Sequence, residues 1–207
     1  MTPSKADLLA AADRRLPDLI APGLTILFCG INPGLYSAAV GYHFARPGNR
    51  FWPALYAGGF TKRLLTPAEG SKLLELGYGL TNIVPRATAG AAELTADELR
   101  AGAEALAGKV RSHRPRWIAI LGIGAYRTAF GRPRAALGRQ DGRLEGARIW
   151  LLPSPSGLNA HHQPRDLAVV FGELRRAVQR SHPEPKARAC VTRSSNSGRA
   201  DPSLRSG

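Results

Sequence analysis

The 207 residues carry 29 lysines and arginines against 15 aspartates and glutamates, a net charge of +14, with 43% hydrophobic content, enough for one well-buried domain. Two cysteines, Cys29 and Cys190, exclude a disulfide framework and a four-thiolate metal cluster. The basic excess favours polyanions, nucleic acid first and an anionic membrane surface second. No apolar run approaches a membrane span and the N-terminus has no signal-peptide pattern, so a cytoplasmic protein is expected.

Ser4–Leu16 reads as a leading helix with Ser4 as N-cap, followed by the breaker Ala21-Pro22-Gly23. Leu24–Gly30 (LTILFCG) is a buried strand by its apolar run and its glycine stop, with Cys29 a small core residue. Asn49–Phe60 suggests a short helix stopped at Gly58-Gly59. Thr66–Gly77 predicts another, with Glu69 completing a capping box on Thr66. Tyr78–Val84 (YGLTNIV) is a short strand. Thr95 caps a clear amphipathic helix running to His113, again with a glutamate, Glu98, at the third position. Trp117–Gly122 and Ala147–Pro153 are two further buried strands, and Pro164–Arg180 is the last helix.

Strands alternating with helices predict an α/β fold: a three-layer α/β/α sandwich around a short, mostly parallel sheet. Residues 1–21 read as a helix and linker, 22–180 as the domain, and 181–207 as a disordered polar tail. That tail holds five basic and two acidic residues, which leaves +11 of the +14 on the body. In such folds ligands gather at the carboxyl ends of the strands. Two unusual loops emerge there, after Cys29 and after Pro153.

The first loop contains GINPG. Asn32 does not titrate, but its carbonyl oxygen can orient a water and its NH2 can donate. So mild a group suits a reaction whose leaving group departs largely on its own, such as cleavage of a glycosidic bond through an oxocarbenium-like state. An asparagine that merely holds a turn satisfies the spacing equally well. Gly30 and Gly34 bare the backbone near Asn32, and Phe44 can stack on a planar heterocycle or pack into the core; Tyr42 and His43 can help line a pocket. The second loop reads PSPSGLNAHH. Ser154 and Ser156 between prolines suit phosphate oxygens, and Gly157-Leu158 is a small apolar tip of the kind pushed into a base stack, or an incidental Ser/Pro turn.

The two loops in this order, with NRFW, GLTNIV and AILGIGAY between them, resemble the mismatch-specific uracil/thymine-DNA glycosylase family within the uracil-DNA glycosylase superfamily. The resemblance runs from about Pro22 to Val178. It implies a uracil-DNA glycosylase-like fold and a repair enzyme that flips uracil, preferably from G:U mismatches, out of double-stranded DNA and hydrolyses its N-glycosidic bond, leaving an abasic site. Asn32 would place the water. Phe44 would stack on the base, Ile31 and Phe44 would offer backbone groups to the pyrimidine edge, and Ser37 occupies the position that leans towards uracil over thymine. Ser154, Ser156, Gly157, Leu158 and Asn159 would contact DNA, with Leu158 as the wedge. Ala160 stands where many bacterial members have an arginine, which puts a strict requirement for guanine opposite in question. No metal or organic cofactor is implied, and a monomer is expected.

Other readings stay open at this point. A non-catalytic nucleic-acid-binding module would use the same basic face, and a glycosylase for another damaged or deaminated base would use the same pocket. GIGAYR resembles the opening of a dinucleotide fingerprint without its third glycine. His161-His162 have no companion metal ligands at a useful spacing. The arginine-rich stretch Gly131–Arg143 fits phosphate contacts or a solvated loop.

Overall fold

The computed structural model describes residues 2–157 and 163–181. Five strands form one sheet in the order β2-β1-β3-β5-β4: β1 Ile26–Gly30, β2 Tyr78–Asn82, β3 Trp117–Leu121, β4 Gly138–Leu144 and β5 Ala147–Leu152. β2, β1, β3 and β5 run parallel and only β4 is antiparallel. The expected α/β architecture with a short, mostly parallel central sheet is therefore present.

Strand periodicity builds the two cores. Ile26 and Phe28 of β1, Trp117, Ala119 and Leu121 of β3, and Trp150 and Leu152 of β5 enter one hydrophobic cluster. The intervening Leu27, Cys29, Ile118, Ile120, Ile149 and Leu151 enter the other. Alternate residues of a strand point to opposite faces, so a strand covered on both sides must be apolar throughout. On the first face lie helices α3 (Phe51–Ala57) and α7 (Pro164–Ser181); on the second lie α5 (Ala96–His113) and α6 (Ile123–Ala129). Cys29 is fully buried there, and burial holds its thiol well above the ordinary range, an inert core residue as expected.

Capping predictions hold closely. Thr95 accepts from the Glu98 N–H at 3.1 Å while Glu98 accepts from the Thr95 N–H at 2.9 Å. The same reciprocal box closes α1 through Ser4 and Asp7. That first helix is shorter than expected, however: α1 covers Lys5–Ala10 only. Asp13 turns into the left-handed region at φ 60°, and the chain beyond it pairs with residues 86–87 instead of continuing as helix. The predicted Thr66–Gly77 helix breaks at Gly70-Ser71 into a 3-10 turn, Pro67–Glu69, and a single turn of helix, α4 (Lys72–Glu75). Elements not anticipated include α2, Leu35–Val40, inside the first loop, the 3-10 turn Ala91–Glu93, helix α6 after β3, and the edge strand β4 inside the arginine-rich stretch.

Candidate active site

The carboxyl ends of all four parallel strands converge on one cleft of about 140 Å³. Gly30 ends β1, Asn82 ends β2, Leu121 ends β3, and Ser154 follows β5; each lines the cleft. Ile31, Asn32, Ser37, Phe44 and Ser156 line it too, so most residues singled out from sequence meet in one place. Gly157 lies in the adjoining groove with Arg46 and Arg50. Leu158, Asn159, Ala160, His161 and His162 fall outside the described residues, as do Cys190 and the tail. Tyr42 does not line the cleft: it is exposed and faces a groove against α1.

Asn32 is held with unusual completeness. Its Nδ2 lies 3.2 Å from the Pro33 carbonyl, 3.2 Å from the Arg86 carbonyl and 2.7 Å from Thr88 Oγ1. Carbonyls only accept, so the nitrogen must be the atom on that side. Thr88 reinforces the choice: its hydroxyl donates to the Gly90 carbonyl at 2.8 Å and can only accept from Asn32. The orientation of the amide is thereby fixed, with Oδ1 left as an acceptor that no donor among the described residues occupies.

Phe44 stands in the left-handed region at φ 54°, a conformation that costs a non-glycine residue about 1–2 kcal/mol. Its ring stacks on Phe51 of α3 with centroids 4.1 Å apart and planes at 22°, and its flank closes a wall of the cleft. The backbone N–H of Ala45, one residue on, donates to Ser37 Oγ at 3.0 Å, tying this loop to buried Ser37 on α2. The Ile31 carbonyl already accepts from the Val84 N–H at 2.9 Å, leaving one lone pair for a ligand.

Lining residues missed in the sequence include Asn82 and Thr88, whereas His43, named there as a pocket residue, does line the cleft. Asn82 is only 4% exposed and its side-chain amide has no hydrogen-bond partner among the described residues. Gly30 makes room for it, because a Cβ there would stand 2.5 Å from Asn82 Oδ1 and 3.3 Å from the Phe44 ring. An asparagine at the end of a strand that otherwise reads apolar was the available signal, since strands deplete it. Thr88 sits in a stretch, PRATAG, with no period to mark it. His43 is buried, its Nε2 donates to the Pro17 carbonyl at 2.9 Å, and burial pushes its pKa down from the usual imidazole value.

The two loops are joined across the rim. The Arg50 N–H donates to the Pro155 carbonyl at 2.9 Å, and the Gly157 backbone lies so close to Gly48 that a Cβ would come within 2.7 Å of its carbonyl oxygen. Within the second loop the Ser156 N–H reaches Ser154 Oγ at 3.4 Å. The dinucleotide alternative loses its support at α6: Ile31 fills the space beside Gly122, where a pyrophosphate would need to lie. Among the described residues no helix is long and apolar enough to cross a membrane.

The chain is a mostly parallel α/β sheet with a small cleft at its strand ends, walled in part by Phe44 and edged by the Asn32 and Asn82 amides. The volume is well under the ~300–1,000 Å³ of sites for drug-sized ligands. The chain belongs to the uracil DNA glycosylase superfamily, whose family model it matches over residues 17–175. Its fold is also that of a solution NMR structure from Methanosarcina acetivorans, described as a putative uracil DNA glycosylase, with a TM-score of 0.50. That match is 20% identical in sequence and covers 79% of this chain and 98% of the other.

Proposed function

We propose that this member of the superfamily is a monofunctional DNA glycosylase that removes uracil, preferentially from G:U mismatches in double-stranded DNA. The observation that carries the reading is the three-acceptor hold on the Asn32 amide, which leaves Oδ1 to accept a hydrogen bond from a water at the strand ends. The flipped base stacks against Phe44. The Asn82 amide offers one donor face and one acceptor, the complement of the adjacent carbonyl and N–H of a pyrimidine edge. The Asn82 amide supports this role because it lines the cleft and makes no side-chain hydrogen bond among the described residues, which leaves it open to a ligand.

Bond breaking runs ahead of water attack. The C1′–N1 bond cleaves with its electron pair leaving on the base, and donors on the pyrimidine oxygens stabilise the departing anion. The water held by Asn32 forms the new C1′–O bond and loses one proton; the base gains one on release. No lysine lines the cleft among the described residues, which supports simple hydrolysis over an imine and a lyase step. Ser37 supports uracil over thymine, since a buried hydroxyl tied to the Ala45 N–H narrows that wall. The mismatch preference follows from cost: extrusion needs a few kcal/mol, least from a weak pair.

The test is base release from G:U, A:U and G:T duplexes and from single-stranded uracil DNA, by wild type and Asn32→Ala. Misplacing a reacting group by about 1 Å can cost about 10²-fold, so the variant should lose rate by at least that order while binding DNA as before. Wild type that binds every duplex and releases no base would put a non-catalytic binding module in this reading's place.

A further inference from the structure

Residues 11–16 lie just ahead of the family-matched span, which begins at residue 17, yet backbone hydrogen bonds join them to the loop that holds Asn32. The Asp13 N–H donates to the Ala87 carbonyl at 3.1 Å, and the Ala87 N–H donates to the Arg14 carbonyl at 2.9 Å. Arg15 pairs antiparallel with Arg86. On the other side of the same stretch Thr88 pairs in parallel with Gly34, its N–H donating to the Pro33 carbonyl at 3.2 Å. Residues 86–88 are thus the middle member of a small ladder outside the main sheet. Its outer edges are the N-terminal segment on one side and the Asn32-Pro33-Gly34 turn on the other.

We propose that residues 11–16 act as a strap that positions Asn32 through residues 86–88, an inference that rests on the glycosylase reading above. Two of the three acceptors on the Asn32 amide, the Arg86 carbonyl and Thr88 Oγ1, belong to the strapped stretch. The strap is anchored at both ends: Ala11 is completely buried, and Leu16 is buried and lines the cleft itself. Its turn depends on Asp13 at φ 60°, where aspartate and asparagine are tolerated, glycine is comfortable and β-branched residues are not. The Asp13 carboxylate adds a contact to Arg86 Nη1 at 3.2 Å, but Asp13 is well exposed, so the pair adds little and the backbone ladder is the working connection. Removing the outer member frees one edge of the middle one. The Asn32 amide then loses its fixed aim, and a displacement near 1 Å at a catalytic group can cost about 10²-fold in rate.

The experiment compares Asp13→Val, Asp13→Gly and Asp13→Asn in the full chain. It reads single-turnover uracil release, affinity for the uracil duplex, and amide hydrogen exchange at Ala87 and the Asn32 side chain. Asp13→Val should release base about tenfold more slowly with duplex affinity within twofold, and both exchange rates should rise. Asp13→Gly and Asp13→Asn should stay near wild type. A folded Asp13→Val with faster Ala87 exchange and an unchanged rate would overturn the strap. So would an equal loss in Asp13→Gly, or a loss confined to affinity. If Asp13→Val does not fold, Asp13→Ala, a milder strain at the same φ, must give the same ordering on a smaller scale. Should wild type release no uracil at all, the glycosylase reading fails separately. Exchange at the Asn32 amide then decides the strap alone: faster in the valine variant upholds it, unchanged overturns it.

Discussion

Phe44 shows how the cleft is assembled from single residues. A left-handed phenylalanine is unfavourable by itself, and two contacts hold it there: the stack on Phe51 and the Ala45 N–H bond to Ser37. The ring lines the cleft, and on the proposed reading the base lies against it. Base–aromatic stacking is worth about 1–3 kcal/mol per base, so Phe44→Ala should weaken productive binding by about that much. Steady-state release from a G:U duplex should show this mainly as a higher KM. A selective fall in kcat, with KM unchanged, would mean that the ring orders the reacting centre and does not merely bind the base. Asn32 and Phe44, named from sequence and both lining the cleft, sit in a loop whose composition no turn requires. Asn82 and Thr88 were overlooked because their places depend on what surrounds them: the Asn82 amide has its space because Gly30 lacks a Cβ, and the Thr88 hydroxyl commits its proton to Gly90.

Elements were legible wherever burial imposed a period. β1, β3 and β5 are covered on both faces and read as apolar runs; α5 carries its capping box in plain sequence. β4 escaped because an edge strand has no apolar face to display: arginines and glycines serve as well as valines there. Its one signal was the two-residue connection Glu145-Gly146, both at positive φ, which is the hairpin geometry that matches strand twist. α5 also reaches the site. Glu98 at its start accepts from the Thr95 N–H and from the guanidinium of Arg86, whose own carbonyl holds Asn32. The Arg86 hydrogen bonds, then the Thr95 N–H, hold the Glu98 carboxyl down to about 2 from 4.5. The folded value is the lower one, so this contribution to stability is complete above pH 4.5 and is lost as the pH falls towards 2. Thermal unfolding followed between pH 5 and 2 should therefore show a smaller acid-induced drop in Tm for Glu98→Gln than for wild type. Equal drops would assign the acid sensitivity to other carboxylates.

Charge belongs to the molecule as a whole. Of the +14, the stretch from residue 181 onward supplies +3 and the body +11. Exposed Arg46 stands at the mouth of the cleft and continues into the groove beside Ser156 and Gly157, so part of the body's charge borders the place where the flipped nucleotide would enter. A net positive field attracts duplex DNA before any base is read, and each neutralised phosphate releases counterions. For a duplex-binding protein, log affinity falls linearly with log salt at about −0.9 per phosphate contact. The distribution of charge predicts that most of that slope belongs to the body: a chain ending at Ser181 should keep the greater part of it, while Arg46→Ala should lower it by about one contact. Titrating a G:U duplex at 50 to 200 mM salt with wild type, the shortened chain and Arg46→Ala measures both slopes. Retention by the shortened chain would place DNA capture on the same face as the cleft, so that encounter and base flipping are served by one surface. A collapse of the slope would instead assign capture to the tail, with the cleft acting on DNA already tethered.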